Sequence, residues 1–148
     1  MRGVDYGKKK KFEDSDCYGR DLAKRDLYNL PNVGWIIDSG LQDRIDLKVE
    51  SGSTYVPVEV KYRPNDPSTR YKDGRIQKDT KYQAILKAKG FLYMRFNDGI
   101  WFLWDLNKTK PCDDGEWTHS EHSVLNDGDI TDNYVAFDYK DALYTNAK

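Results

Sequence analysis

Two short runs of alternating apolar and polar residues, joined by a three-residue turn, constrain this chain more than any other feature. In residues 42–50, Ile45, Leu47 and Val49 alternate with Arg44, Asp46 and Lys48. In residues 54–62, Val56, Val58 and Val60 alternate with Pro57, Glu59 and Lys61. A period of two marks a strand with one buried face. Ser51-Gly52-Ser53 between the runs predicts an antiparallel hairpin. One face, with Ile45, Leu47, Val58 and Val60, anchors it in a core. The other brings Asp46, Glu59 and Lys61 toward a common point.

The flanking segments supply partners for that hairpin. Residues 14–29 read as a helix with Leu22, Ala23, Asp26 and Leu27 on successive turns, stopped by Pro31-Asn32. Gly34 to Asp38 reads as a short strand. Residues 63–75, with Pro64, Pro67 and Gly74, read as a loop long enough to be functional. Residues 76–89 read as a second helix closed by Gly90. Phe91–Phe96 and Ile100–Leu106 read as strands around the hairpin signal Asn97-Asp98-Gly99, which makes Trp101, Phe102 and Trp104 core residues. Residues 107–133 are loop-rich, and Tyr134–Tyr139 reads as a last strand before a short helical end. The order α-β-β-β-α-β-β predicts an α/β or α+β sandwich around a mixed sheet. We expect one domain over residues 1–148, with a mobile basic arm at 1–12, a core at 13–106 and a loop-rich addition at 107–148.

Charge is balanced overall, with 24 basic and 25 acidic residues, but unevenly placed. Lys8, Lys9, Lys10 and Lys11 form a run, and residues 61–89 are rich in Lys and Arg, whereas 113–141 are rich in Asp, Asn and Glu. A nucleic-acid enzyme needs a local basic face rather than a basic total. Cys17 and Cys112 make no disulfide framework, which predicts a reducing compartment. No run approaches the roughly 18 apolar residues of a membrane span, and the first residues lack the apolar core of a signal peptide. The expectation is an intracellular, cytoplasmic protein without membrane contact.

Two carboxylates on one rigid face form a hard, oxygen-only site suited to Mg²⁺ or Mn²⁺. Such an ion polarises a phosphodiester and lowers the pKa of bound water. The backbone carbonyl of Val60 is a further candidate ligand. Lys61 is placed to stabilise the negative charge that develops on a phosphate.

Asp46 followed by Glu59-Val60-Lys61 after a strand-turn interval resembles the PD-(D/E)xK nuclease superfamily, over roughly residues 13–105. The resemblance implies a restriction-endonuclease-like core of order α-β-β-β-α-β and metal-dependent hydrolysis of DNA. It assigns the two acids to metal and the lysine to the chemistry. It also implies a glutamate on the first helix, for which Glu13 matches by position and Asp14 and Asp16 are rivals. A Gln-x-x-x-Tyr helix present in some members has here only Gln77 and Tyr82, one residue out of step, with Gln83 nearby. Ile45 stands where the superfamily usually has proline. The compact size resembles phage-type endonucleases and Holliday-junction resolvases, commonly homodimers.

Lys8–Lys11, Arg63, Lys78 and Lys81 are candidate phosphate contacts, with Arg70, Lys72 and Arg75 in the same stretch. Asp38 is either an extra ligand or a turn cap. His119, His122 and Cys112 carry no C-x-x-C partner and read as surface loop. The rival class is a non-catalytic protein on the same fold that binds DNA or inhibits a host protein. An intact acid-acid-lysine set has no purpose in such a protein.

Overall fold

The computed structural model describes residues 6–39, 45–64, 72–122 and 127–147, with side-chain positions for all of these except 6–16, 119–122 and 127–130. The chain is an α+β protein built on a mixed central sheet. In chain order it has helix α1 (Tyr6–Tyr28), strands β1 (Val33–Asp38), β2 (Leu47–Ser51), β3 (Thr54–Arg63) and β4 (Gly74–Gln77), then a π-helical turn (Lys78–Tyr82) running into α2 (Gln83–Lys87). There follow β5 (Phe91–Phe96), β6 (Trp101–Asp105), β7 (Asp113–His122), β8 (Asp127–Phe137), a 3₁₀ turn (Tyr139–Asp141) and β9 (Tyr144–Thr145).

The central sheet has the order β1-β2-β3-β5-β6-β9. The β2–β3 pairing is the hairpin expected from the alternation, with Leu47 opposite Val58 and Val49 opposite Val56. The turn contains Gly52 at φ 64°, a left-handed conformation that glycine adopts without penalty. Among the described strands only β3 and β5 run parallel. Parallel neighbours need a crossover, and here it carries β4, the π turn and α2.

Each face of the sheet buries its own core. On one side Ala23 and Leu27 of α1 pack against Ile36, Leu47, Val49, Val58, Tyr93, Trp101 and Leu103. On the other, Leu92, Met94, Phe96, Phe102 and Trp104 pack against Ile76, Ile85, Val135 and Phe137. Trp101, Phe102 and Trp104 are core residues, as expected.

Several expectations need correction. Helix α1 begins at Tyr6, so Lys8–Lys11 lie within a helix rather than in an arm; lysine and glutamate are good helix formers, so the helix extends through them. Residues 74–77 are a strand, not helix or loop. They pair with β8 from Gly74 opposite Phe137 to Gln77 opposite Tyr134, and this ladder delays the helix. Gly74 admits the Trp104 ring, which a Cβ would meet at 2.6 Å. At the end of α2 the left-handed residue is Lys89 (φ 55°), not Gly90. Gly90 instead allows close approach to the Pro57 carbonyl, which a Cβ would meet at 3.0 Å.

The largest departure is in the segment expected to be loop. Strands β4, β8 and β7 form a second, antiparallel sheet, with β7 and β8 paired from Asp113–Ala136 to His122–Asp127. Asp113 to Thr118 are mostly exposed, so no apolar period reveals the strand. It is held by its partner, through contacts such as Thr118–Thr131 (2.8 Å) and Trp117 against Tyr134.

Candidate active site

The hairpin register builds the site. Leu47 and Val58 are both buried and opposite each other, and slipping by one residue would turn every side chain to the wrong face. Asp46 immediately precedes β2, so this register sets it beside Glu59 on β3. The Val60 N–H donates to Asp46 Oδ2 at 2.9 Å. On the other side the Ser39 N–H donates to the Asp46 carbonyl, also at 2.9 Å. Asp46 is thus held at both side chain and backbone. Val60 meets it through its N–H.

Glu59 and Lys61 point to the face away from α1, since Val58 and Val60 between them contribute to the α1-side core. Their neighbours across the parallel pair are Leu92 and Met94 of the opposite core. Ile45 was expected to share the face of Leu47. It packs instead with Ile76, Ile85 and Trp104, because it lies outside the strand and the alternation does not reach it.

Glu59 is 2% exposed. Its Oε1 lies 3.5 Å from Lys81 Nζ, while its Oε2 is buried without a hydrogen-bond donor. Burial, followed by the charge of Asp46, pushes its carboxyl up from 4.5 to about 7, against the pull of Lys81 and Lys61. Lys61 is half-buried. Burial, then the charges of Lys81 and Arg63, lowers its ammonium from 10.5 to about 8, against Glu59 and Asp46. An acid and a base displaced toward neutrality on one strand face mark a candidate functional site.

Among the described residues no group of three or more His, Cys, Asp or Glu side chains could hold a metal. Asp46 and Glu59 nonetheless present two neighbouring carboxylates, one with an orphaned oxygen. This fits Mg²⁺, which keeps several waters and takes one or two carboxylates plus substrate phosphates.

The other candidates lie elsewhere. Gln77 donates to Asp132 (3.2 Å) and accepts from Thr80 (3.0 Å), and Tyr82 packs on Phe137; neither pairs with the acids. Lys78 pairs with Asp114 at 3.5 Å. Arg63 donates to the Arg75 carbonyl at 2.8 Å and lies over the Trp117 ring. Asp38 pairs with Lys24 and Arg20 of α1, on the opposite face from Glu59. Glu13, Asp14, Asp16 and Lys8–Lys11 belong to α1, but their side chains lie outside the described positions, as do those of His119 and His122 on β7. Arg70 lies outside the described residues. Cys17 and Cys112 are free and exposed.

The contact of Lys81 with Glu59 is the feature of the site that the sequence does not reveal. Lys81 is one of a series of phosphate-contact candidates, and no periodicity distinguishes it from Lys78. Only the crossover from β3 to β5 carries the π turn over Glu59.

No family model matches the chain, and no curated protein or solved structure does. No described helix is long and apolar enough to cross a membrane.

Proposed function

We propose that the protein is a divalent-metal-dependent nuclease of the PD-(D/E)xK type, hydrolysing phosphodiester bonds of DNA. The observation that carries this is the buried Glu59, whose Oε2 has no donor, beside a fixed Asp46 and two residues from Lys61. A buried acceptor left unsatisfied is costly, and a metal ion would satisfy it. The run α1-β1-β2-β3, a crossover containing α2, then β5-β6 also fits the order that the resemblance implies, with β4 and the π turn inserted before α2.

Asp46 and Glu59 would hold Mg²⁺ or Mn²⁺, with the Val60 carbonyl as a candidate third oxygen. Bound there, the ion would supply Lewis acidity toward the phosphate and a water of lowered pKa. The Val60 N–H keeps Asp46 turned toward Glu59. Lys61 presents its ammonium to the scissile phosphate and stabilises charge as the bond to the leaving oxygen lengthens. The leucine and valine layer beneath β2 and β3 keeps the set rigid. A homodimer with two such sites, and Glu13 as an additional acid from α1, belong to the same proposal.

Glu59's pairing with Lys81 favours a second reading. An acid already neutralised by a lysine suits a non-catalytic protein that binds DNA or another protein. Cleavage of labelled duplex, single-stranded and four-way-junction DNA with Mg²⁺ or Mn²⁺ separates the two. Metal-dependent cutting by the wild type, lost in Lys61→Ala, supports the nuclease. No cutting, or equal cutting by both, moves the binding reading forward.

A further inference from the structure

Lys81 stands out among the cations of the crossover. Its ammonium approaches Glu59 Oε1 at 3.5 Å while its side chain stays 37% exposed. The pair therefore joins a buried acid to a long chain that reaches in from solvent. The backbone beneath it is well held. The π turn is tied to β8 by Asn133 donating to Asp79 (3.2 Å), the β4 residue just before it, Gln77, donates to Asp132, and Tyr82 is packed against Phe137. π turns are rare and recur at functional sites. Here the turn keeps Lys81 over Glu59 with its side chain partly open to solvent.

The pair covers one carboxylate oxygen and leaves the other bare. Lys61 lies on the same strand face, and Lys81 is the foremost charge acting against its ammonium. Two cations thus share one small space next to an acid pair. A divalent ion entering that pair would repel the nearer ammonium, because like charges at this separation repel one another even in a partly polar surrounding.

Resting on the nuclease reading, we propose that Lys81 is the resident counter-ion of the acid pair, displaced from Glu59 by the incoming metal and so released toward a substrate phosphate. It holds Glu59 in the metal-free protein and becomes a second phosphate-facing cation beside Lys61 in the loaded one.

The experiment is a titration of the full chain with Mn²⁺ alone, without nucleic acid, for wild type, Lys81→Gln, Lys78→Gln and Asp46→Asn. Lys78→Gln removes the same charge from the same turn, but from the Asp114 pair. The expected result is Mn²⁺ binding about tenfold tighter in Lys81→Gln, less than about twofold changed in Lys78→Gln, and lost in Asp46→Asn. With Mn²⁺ present, binding of a nuclease-resistant phosphorothioate duplex should show a salt slope smaller by about 0.9 in Lys81→Gln than in wild type. Lys81→Gln binding Mn²⁺ no tighter than wild type, or no tighter than Lys78→Gln, overturns the counter-ion role while the Asp46 result keeps the metal site. An unchanged salt slope overturns the release toward phosphate. Wild type that binds no Mn²⁺ removes this inference and the nuclease reading together.

Discussion

Two largely buried acids lie on opposite faces of the central sheet, and their surroundings differ. On the α1 face Asp26, 11% exposed, accepts from the Tyr93 hydroxyl and from the Arg95 guanidinium. Burial and the bond to Asp26 keep the Tyr93 proton on, well above the ordinary tyrosine range. That network ties α1 to β5 and leaves nothing to add. On the other face Glu59 is more deeply buried, feels the charge of a second acid, Asp46, and has an oxygen with no donor. Removing a partner from a satisfied buried acid is strongly destabilising, whereas an unsatisfied one already costs stability and calls for a reason to be kept. On the proposed reading Asp26 is the structural carboxylate and Glu59 the functional one.

The largest effect should separate them by activity. Lys61→Ala should reduce cleavage by about 10²–10³-fold with an unchanged fold by circular dichroism. Asp26→Ala should leave the rate per folded molecule within about twofold, because it lies across the sheet from the reacting groups. A comparable activity loss in both would erase the distinction between the faces.

Stability should order them the other way. Asp26→Ala leaves the Tyr93 hydroxyl and the Arg95 charge without their acceptor, and should cost about 3 kcal/mol in urea unfolding. Glu59→Gln should stabilise the metal-free protein at pH 8 by about 2 kcal/mol, since it removes a charge that burial disfavours.

The finest test is the pH profile of metal-free stability. Glu59 is raised from 4.5 to about 7, so the native state holds a proton that the unfolded chain has released. Its contribution is complete below 4.5 and is lost as pH rises through 7. Lys61 is lowered from 10.5 to about 8, so its contribution is complete above 10.5 and is lost as pH falls through 8. The two losses overlap between about 7 and 8, where chemical-denaturation stability should reach a local minimum. Glu59→Gln should abolish the fall on the acid side and leave the alkaline limb. A wild-type profile flat from pH 5 to 10 would contradict the burial of both groups.

The hairpin and its acid-acid-lysine set were legible because strand alternation writes facing directly into sequence. Leu47 and Val58 announce the register, and Glu59 and Lys61 follow from it. Ile45 was misplaced because it sits just outside the strand, where that rule lapses. β7 was illegible for another reason: its Asp113–Thr118 stretch is mostly exposed and is a strand only through its partner. Residues 74–77 read as helix or loop because their pairing with β8 lies some sixty residues away in the chain. Lys81 depends on that same pairing, which positions the π turn, so its contact with Glu59 had no local signature.

The most direct measurement is thermal unfolding of wild type and Asp46→Ala across a Mn²⁺ titration. At about 100 times the dissociation constant, a metal bound only by the native state adds about 2.7 kcal/mol, which in a domain of this size raises Tm by about 5–10 °C. The account predicts that rise in the wild type and none in Asp46→Ala. No rise in the wild type, or the same rise in both, would contradict the assignment of Asp46 and Glu59 to a metal ion.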